Sequence, residues 1–545
     1  MGFKTILTPE YIQTHQSNWP NKTILDYLNE AIEKSPDKTA IIDKNSRYTY
    51  KQLGKLVDRV ALGLLKTGLK KGDVISFQLP NWNEFVILHF AVTRIGAISN
   101  PLIPIYRERE IGFMVKMAES KMIVIPDEFR GFNYPEMIEG LLPQWPSMQH
   151  VFVTGENVPE GMKSFSSLLE EPLEEAGNLS KLDEITHDPN EVTEIIFTSG
   201  TTGKPKGVMH THNTINSAAF YWIDHLSLTP DDVVFMASTF AHQTGFLYGV
   251  HLPIIYGGTA VYQDIWNPHE FLDLIKKEKI TFTVSATPFL QDTIQAVGDE
   301  AFELSSLRVF VAVGAPIPRV LVKEARERLP CHILSGWGQT ENGMVTITLV
   351  DDKEEKLTNT DGAPFPDMEV KVVDLNGKVL PPNEEGNLMC RGPALFIGYF
   401  KLLEQTKAEF VDGWFNTGDR AVMDEDGYIR ITGRVKDIII RGGENIPVAY
   451  VENVLYEHPD IANVQIIAVP DERLQEKACV FICMKDNKEA LTMESMQEFL
   501  KKKGVTRQYW PEYIEVVAEF PTTASGKIQK FRLREMFDKQ VSSKS

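Results

Sequence analysis

The stretch of this chain richest in reactive and ligand-binding groups is Thr198-Ser199-Gly200-Thr201-Thr202-Gly203-Lys204-Pro205-Lys206-Gly207, directly after the apolar run Glu194-Ile195-Ile196-Phe197. Glycines let backbone N–H groups approach a ligand closely, hydroxyls donate hydrogen bonds, and lysines supply charge; together they suit a polyphosphate. The spacing is not that of a Walker A loop, which has a longer gap before its Gly-Lys pair and a Ser or Thr after the lysine. Here Gly200 and Gly203 stand close together and Pro205 follows Lys204. A flexible surface loop has much the same composition, so composition alone favours phosphate only modestly.

The elements that must position such a loop are legible as periodicity. Leu53, Val57, Val60 and Leu64 recur at helical spacing, Val74 to Leu79 reads as a strand, and Asn83 to Ile95 reads as a helix capped at Gly96. Met122 to Pro126 and His150 to Gly155 are continuous apolar runs of the kind found in buried parallel strands. Helices between such strands imply right-handed crossovers and a doubly wound sheet. The acid-rich segment from Glu170 to Glu194 reads as a solvated connector between two sheets, with a second βα series running from Glu194 to about Pro330. Residues 360–432 switch to short β-like pieces between Gly, Pro and Asp turns, which predicts a small antiparallel barrel or sheet. Beyond Gly433 the pattern is mixed α+β.

At 545 residues the chain implies about three or four folding units. It carries 56 basic against 75 acidic residues, net −19. Such a balance argues against nucleic-acid binding and against a polybasic membrane anchor, while leaving room for a small anionic ligand in a local site. Cys331, Cys390, Cys479 and Cys483 form no CxxC and read as reduced core cysteines. The start of the chain lacks an apolar signal region and Ser542-Ser543-Lys544-Ser545 is not a peroxisomal signal, so a cytoplasmic location is expected. Val233 to Gln263 carries no Asp, Glu, Lys or Arg, but His242, His251, Pro253 and the Gly257-Gly258 stop make it a buried element of a large core, with no integral membrane segment expected.

The ten-residue loop resembles the phosphate loop of the adenylate-forming superfamily, which includes acyl- and aryl-CoA synthetases, luciferases and adenylation domains. Four further segments resemble that family in the same order. They are Gly336-Trp337-Gly338-Gln339-Thr340-Glu341, Trp414-Phe415-Asn416-Thr417-Gly418-Asp419, Gly433-Arg434-Val435-Lys436-Asp437 and Pro521-Thr522-Thr523-Ala524-Ser525-Gly526-Lys527. The resemblance implies an α/β fold. A large N-terminal domain, 1–433, holds two doubly wound sheets and a small β-barrel-like subdomain; a hinge at 434–437 leads to a small mobile α+β C-terminal domain, 438–545.

Site roles follow from the same resemblance. Thr198 to Lys204, Gly314-Ala315-Pro316, Gly336 to Thr340, Asp419, Arg434 and Lys527 correspond to nucleotide-binding positions. Trp337 takes the aromatic place beside adenine, where an indole keeps the π-face of the family's tyrosine. Asp419 is expected to accept from the ribose hydroxyls, and Arg434 to reach ribose and phosphate. Glu341, with Thr201, is the expected magnesium site, since a hard cation on ATP phosphates wants oxygen ligands. Lys527 is expected to neutralise the charge built up as a carboxylate attacks the α-phosphorus. Lys436 is the expected hinge, and Arg441, Gly442, Gly443 and Glu444 the expected coenzyme A path.

The implied reaction joins a carboxylic acid to coenzyme A at the expense of ATP with Mg²⁺. Phe240 to Gly245, containing His242, corresponds to the segment beside the carboxylate pocket and lacks the Asp that amino-acid-activating relatives use. An uncharged short- or medium-chain or alicyclic acid is therefore expected, with His242 as a candidate catalytic group. The alternatives are an aryl-acid ligase that loads a carrier-protein thiol and a non-enzymatic nucleotide-binding module. The sequence does not fix oligomeric state; a homodimer is the candidate.

Overall fold

The computed structural model describes residues 4–198, 205–298, 302–314, 317–435, 439–441, 444–471, 473–522 and 528–544, with side chains at all of these except 176, 440, 444, 445 and 540–544. The helix Tyr50–Lys66 buries Leu53, Val57, Val60 and Leu64 on one face. It starts at Thr49, whose side chain accepts from the Gln52 N–H while Gln52 bonds back, a reciprocal cap that removes two orphan donors. Asn83–Arg94 is helical and ends where Gly96 takes φ +67°.

Two sheets form the body of the protein. The first has eight strands. Its parallel part runs Val192–Thr198, Ile98–Pro101, Val74–Phe77, Met122–Pro126, His150–Thr154 and Lys163–Ser164, and Lys206–Thr211 and Gly398–Tyr399 add antiparallel to the Val192–Thr198 side. The second has nine strands, with a parallel body of Thr39–Ile42, Thr259–Tyr262, Val233–Met236, Phe282–Ala286, Val309–Val313 and His332–Gln339. Ile75, Phe77, Ile196 and Val208 of the first sheet share one core with Val234, Met236 and Ala260 of the second.

Chain order and sheet membership therefore differ from the expectation. Thr39–Ile42 belongs to the second sheet, and Val192–Thr198 to the first. The acidic segment joins two strands of the same sheet; most of its carboxylates are exposed as expected, but it is tied to the body by ion pairs. Lys55 pairs with Glu175 at 2.5 Å, Arg59 with Glu174 at 2.6 Å, Lys66 with Glu171 at 2.9 Å and Arg94 with Asp183 at 2.8 Å, while Leu182 is fully buried. Basic residues on the helices Tyr50–Lys66 and Asn83–Arg94 supply the countercharge that local composition does not show.

The Val233–Gln263 stretch divides into a strand and a short helical turn that passes into the π-helical turn Phe246–His251 and the helix Leu252–Tyr256. Pro253 lacks the N–H that would bond the Gly249 carbonyl; the Tyr262 hydroxyl donates to that carbonyl instead, at 3.0 Å. Among the described residues no helix is long and apolar enough to cross a membrane.

Residues 369–434 form a five-stranded antiparallel sheet. After it, Ile461–Asp471 and Gln475–Met484 pair over their length, with Tyr513–Val516 parallel to the second and Val448–Tyr456, Met493–Lys502 and Lys530–Lys544 as helices. Cys479 and Cys483 are buried in that sheet, and all four cysteines are free.

Candidate functional site

A cavity of about 400 Å³ lies where the His332–Gln339 strand, the five-stranded sheet and residues 446–530 meet. Gly314, Gly336, Trp337, Gly338, Asp419 and Arg434 line it from one side, and Ile446, Val448, Glu452, Ile528 and Lys530 from the other. Segments far apart in the chain thus face one space.

Asp419 is the centre of one wall. It is buried, and its Oδ2 accepts from Trp337 Nε1 at 2.8 Å and from Gln339 Nε2 at 3.0 Å, while Oδ1 accepts from Arg434 Nε at 3.1 Å. A carboxylate offers about four acceptor directions, so a single one stays open. Arg434 has 53% of its side chain exposed and is the donor freest to leave. The geometry of the wall is built by pairing Asp419 with Arg434 across adjacent strands, and Gly338 with Met344 across another. A side chain at Gly338 would place its Cβ 1.8 Å from the Gly343 carbonyl oxygen, which only glycine avoids.

Glu341 lies beyond this wall. Its Oε1 accepts from the Tyr399 hydroxyl at 3.0 Å, and burial pushes its carboxyl above the ordinary range against the opposing pull of that hydrogen bond and of Arg434 and Lys206. Tyr399 is in turn covered by Lys206, whose Nζ stands 4.4 Å from the ring centroid and 3.5 Å from Glu409. The Thr340 carbonyl accepts from His210 Nε2 at 2.7 Å. Among the described residues no group of three or more His, Cys, Asp or Glu is arranged to hold a metal alone. A single buried carboxylate oxygen set fits magnesium as an ion shared with phosphate, the way that ion is usually held.

The other predicted residues fall as follows. The Thr198 hydroxyl donates to the Lys206 carbonyl at 3.5 Å. His242 is half-buried, and its Nδ1 accepts from the Thr244 N–H at 3.3 Å. Arg441 is drawn away to Glu512 and to the Trp510 carbonyl. Ser199, Gly200, Thr201, Thr202, Gly203, Lys204, Ala315, Pro316, Lys436, Gly442, Gly443 and Lys527 lie outside the described residues, as does the side chain of Glu444. Tyr399 and His210 were not predicted. Neither carries a local signal, because each meets Glu341 or Thr340 only where the first sheet packs against the turn that follows the strand His332–Gln339 of the second.

The cavity thus sets an indole beside a carboxylate, with a guanidinium at its rim, in a two-unit α/β fold. The chain belongs to the AMP-binding enzyme family, whose model matches residues 28–400, and the model of the AMP-binding enzyme C-terminal domain matches residues 450–527. It is 38% identical over 522 residues to a medium-chain fatty-acid–CoA ligase of Escherichia coli K12, covering 95% of this chain and 91% of that protein. It is 32% identical to a 2,3-dihydroxybenzoate-AMP ligase of Bacillus subtilis 168, covering 98% and 97%. Among solved structures, ATP-bound MatB from Rhodopseudomonas palustris superposes with a TM-score of 0.83 at 25% identity, covering 95% of this chain and 99% of that one.

Proposed function

We propose that this chain is an AMP-forming carboxylic acid–CoA ligase. It uses ATP to convert a short- or medium-chain or alicyclic acid to an acyl-adenylate and pyrophosphate, then to a CoA thioester and AMP. The observation that carries this reading is the shared cavity, where Trp337 and Asp419 on one wall face Ile528, the residue after Lys527, on the other.

Trp337 stacks on the adenine and Asp419 accepts from the ribose, with Arg434 releasing Oδ1 and turning to phosphate. Thr198 to Lys204 cradle the phosphates. Glu341 with Thr201 would hold magnesium, which would supply charge neutralisation to the phosphates. Residues 1–433 and 438–545 act as two bodies about Lys436, the second turning after adenylation so that Arg441 to Glu444 line the thiol path.

Asp419→Ala is expected to raise the KM for ATP about tenfold or more, because the buried Trp337 N–H and two further donors lose their acceptor along with the ribose. Pyrophosphate exchange against ATP concentration measures it, and an unchanged KM would remove Asp419 from the nucleotide site. The reaction itself is tested with acids from acetate to decanoate plus benzoate, salicylate and cyclohexanecarboxylate. Pyrophosphate release with equal consumption of CoA on the aliphatic or alicyclic acids is expected. Adenylate trapped by hydroxylamine from an aryl acid, with free CoA unused, would instead identify a carrier-protein loading enzyme.

A further inference from the structure

A row of polar side chains crosses the inner face of the eight-stranded sheet. Ser99, Glu194 and His210 sit in register on three neighbouring strands, all buried. Two positions along on the same face are Ile196 and Val208, which pack in the central core. An apolar side chain at 194 would match those neighbours; a carboxyl there costs desolvation. Glu194 Oε1 accepts from Gln243 Nε2 at 3.4 Å. Glu194 Oε2 and Gln243 Oε1 have no hydrogen-bond partner among the described residues.

Gln243 opens the turn Gln243–Gly245, immediately after His242, which caps that turn. The adjoining strand makes a parallel link, since His210 holds the Thr340 carbonyl next to Glu341. Two neighbours in one buried row therefore reach the two sides of the site, one the acid-side loop and the other the magnesium-side segment. We propose that Glu194 is a positioning residue for the acid: through Gln243 it anchors the His242 loop to the sheet and sets how the substrate carboxyl is held. This rests on the ligase reading given above.

The link is pH-sensitive. Burial pushes the Glu194 carboxyl up to about 8, opposed by the hydrogen bond from Gln243. The titratable groups facing it are His210 on the next strand and, beyond Ser99, His89 and His251, all kept neutral by burial. Among the described residues no countercharge is at hand when Glu194 ionises, so the neutral acid tolerates the closed loop and the anion does not.

Steady-state kinetics of wild type, Glu194→Gln and Glu194→Met with the best acid of the panel, from pH 6.5 to 9.5, test this. The wild-type KM for the acid is expected to climb about tenfold per pH unit above pH ~8 while that for ATP holds within about twofold. Glu194→Gln should keep the neutral-pH KM and lose the alkaline rise; Glu194→Met should raise the acid KM about tenfold at pH 7. A Gln variant with the wild-type alkaline limb, or a Met variant with an unchanged acid KM, overturns the proposal. Hydrogen exchange of peptide 238–246, corrected for intrinsic rates, gives a readout without turnover: protection should fall above pH ~8 in wild type only. If wild type forms no adenylate from any acid, the ligase reading fails, and pH-independent protection of this peptide then separately rules out the role of Glu194.

Discussion

Lys527→Ala is expected to slow acyl-adenylate formation by about a hundred- to a thousandfold, or ~3–4 kcal/mol, the usual loss when one preorganised electrostatic donor is removed. The acid carboxylate and the ATP phosphates are both anions, and charge grows on the phosphoryl group as they meet. A positive group brought between them by a separate body acts only when that body is closed. The cavity carries the mark of such an arrangement, because Ile528 and Lys530 share it with Trp337 and Asp419. Thioester formation from synthetic acyl-adenylate and CoA should be nearly unaffected, since phosphorus is no longer attacked. Measuring both half-reactions separates this from a folding defect, and a Lys527→Ala enzyme with normal pyrophosphate exchange would end the mechanism. Lys530 provides the contrast. It is paired to Glu452 at 3.6 Å and its side chain is mostly covered, so Lys530→Ala should shift activity only a few-fold.

Steep acid unfolding is the second large expected effect. Asn216 Nδ2 donates to the Lys22 carbonyl at 3.1 Å, which turns Oδ1 toward His251 Nδ1 at 3.4 Å. His251 must then carry its proton on Nδ1, and its Nε2 accepts from His89 Nε2 at 2.9 Å. His89 Nδ1, left bare, accepts from the Ser99 hydroxyl at 2.8 Å. The His89–His251 bond cannot survive protonation of both rings, since each Nε2 would then be a donor. Burial lowers His89 to about 3, His212 to about 3 and His210 to about 4, and lowers His251 well below its ordinary value, with neighbouring histidines adding to the shift in His251.

The sign follows from proton counting. These four groups bind protons in the unfolded chain from about pH 6.5 downward and not in the folded one, so stability falls on acidification. Glu194, protonated in the folded chain below about 8, works in the opposite direction between that value and the ordinary carboxyl range. These five groups alone give a slope of about 4 kcal/mol per pH unit near pH 5.5. Against the lower half of the typical ~5–15 kcal/mol total, that loss unfolds the protein near pH 4–5. Calorimetry from pH 7.5 to 4.5 checks the fall, and proton uptake on unfolding at pH 5.5 should drop by about one in His251→Asn. A midpoint constant from pH 7 to 5 would mean that the buried imidazoles are not neutral and paired as described.

What the chain alone determined is local. The helix of Tyr50–Lys66, the strand Met122–Pro126 and the motif segments around Thr198, Gly336, Asp419 and Lys527 were legible because periodicity, caps and loop chemistry are written within a few turns of chain. The class of reaction came with them. Only the tertiary structure decided which sheet each strand joined, that the acidic connector docks on the helices Tyr50–Lys66 and Asn83–Arg94, and that Tyr399 holds Glu341. It also decided that Glu194, inconspicuous in an apolar strand, meets Gln243, and that His89 and His251 share a proton chain. Those outcomes depend on strand order and on desolvation by distant segments, and neither quantity is a property of any short stretch of residues.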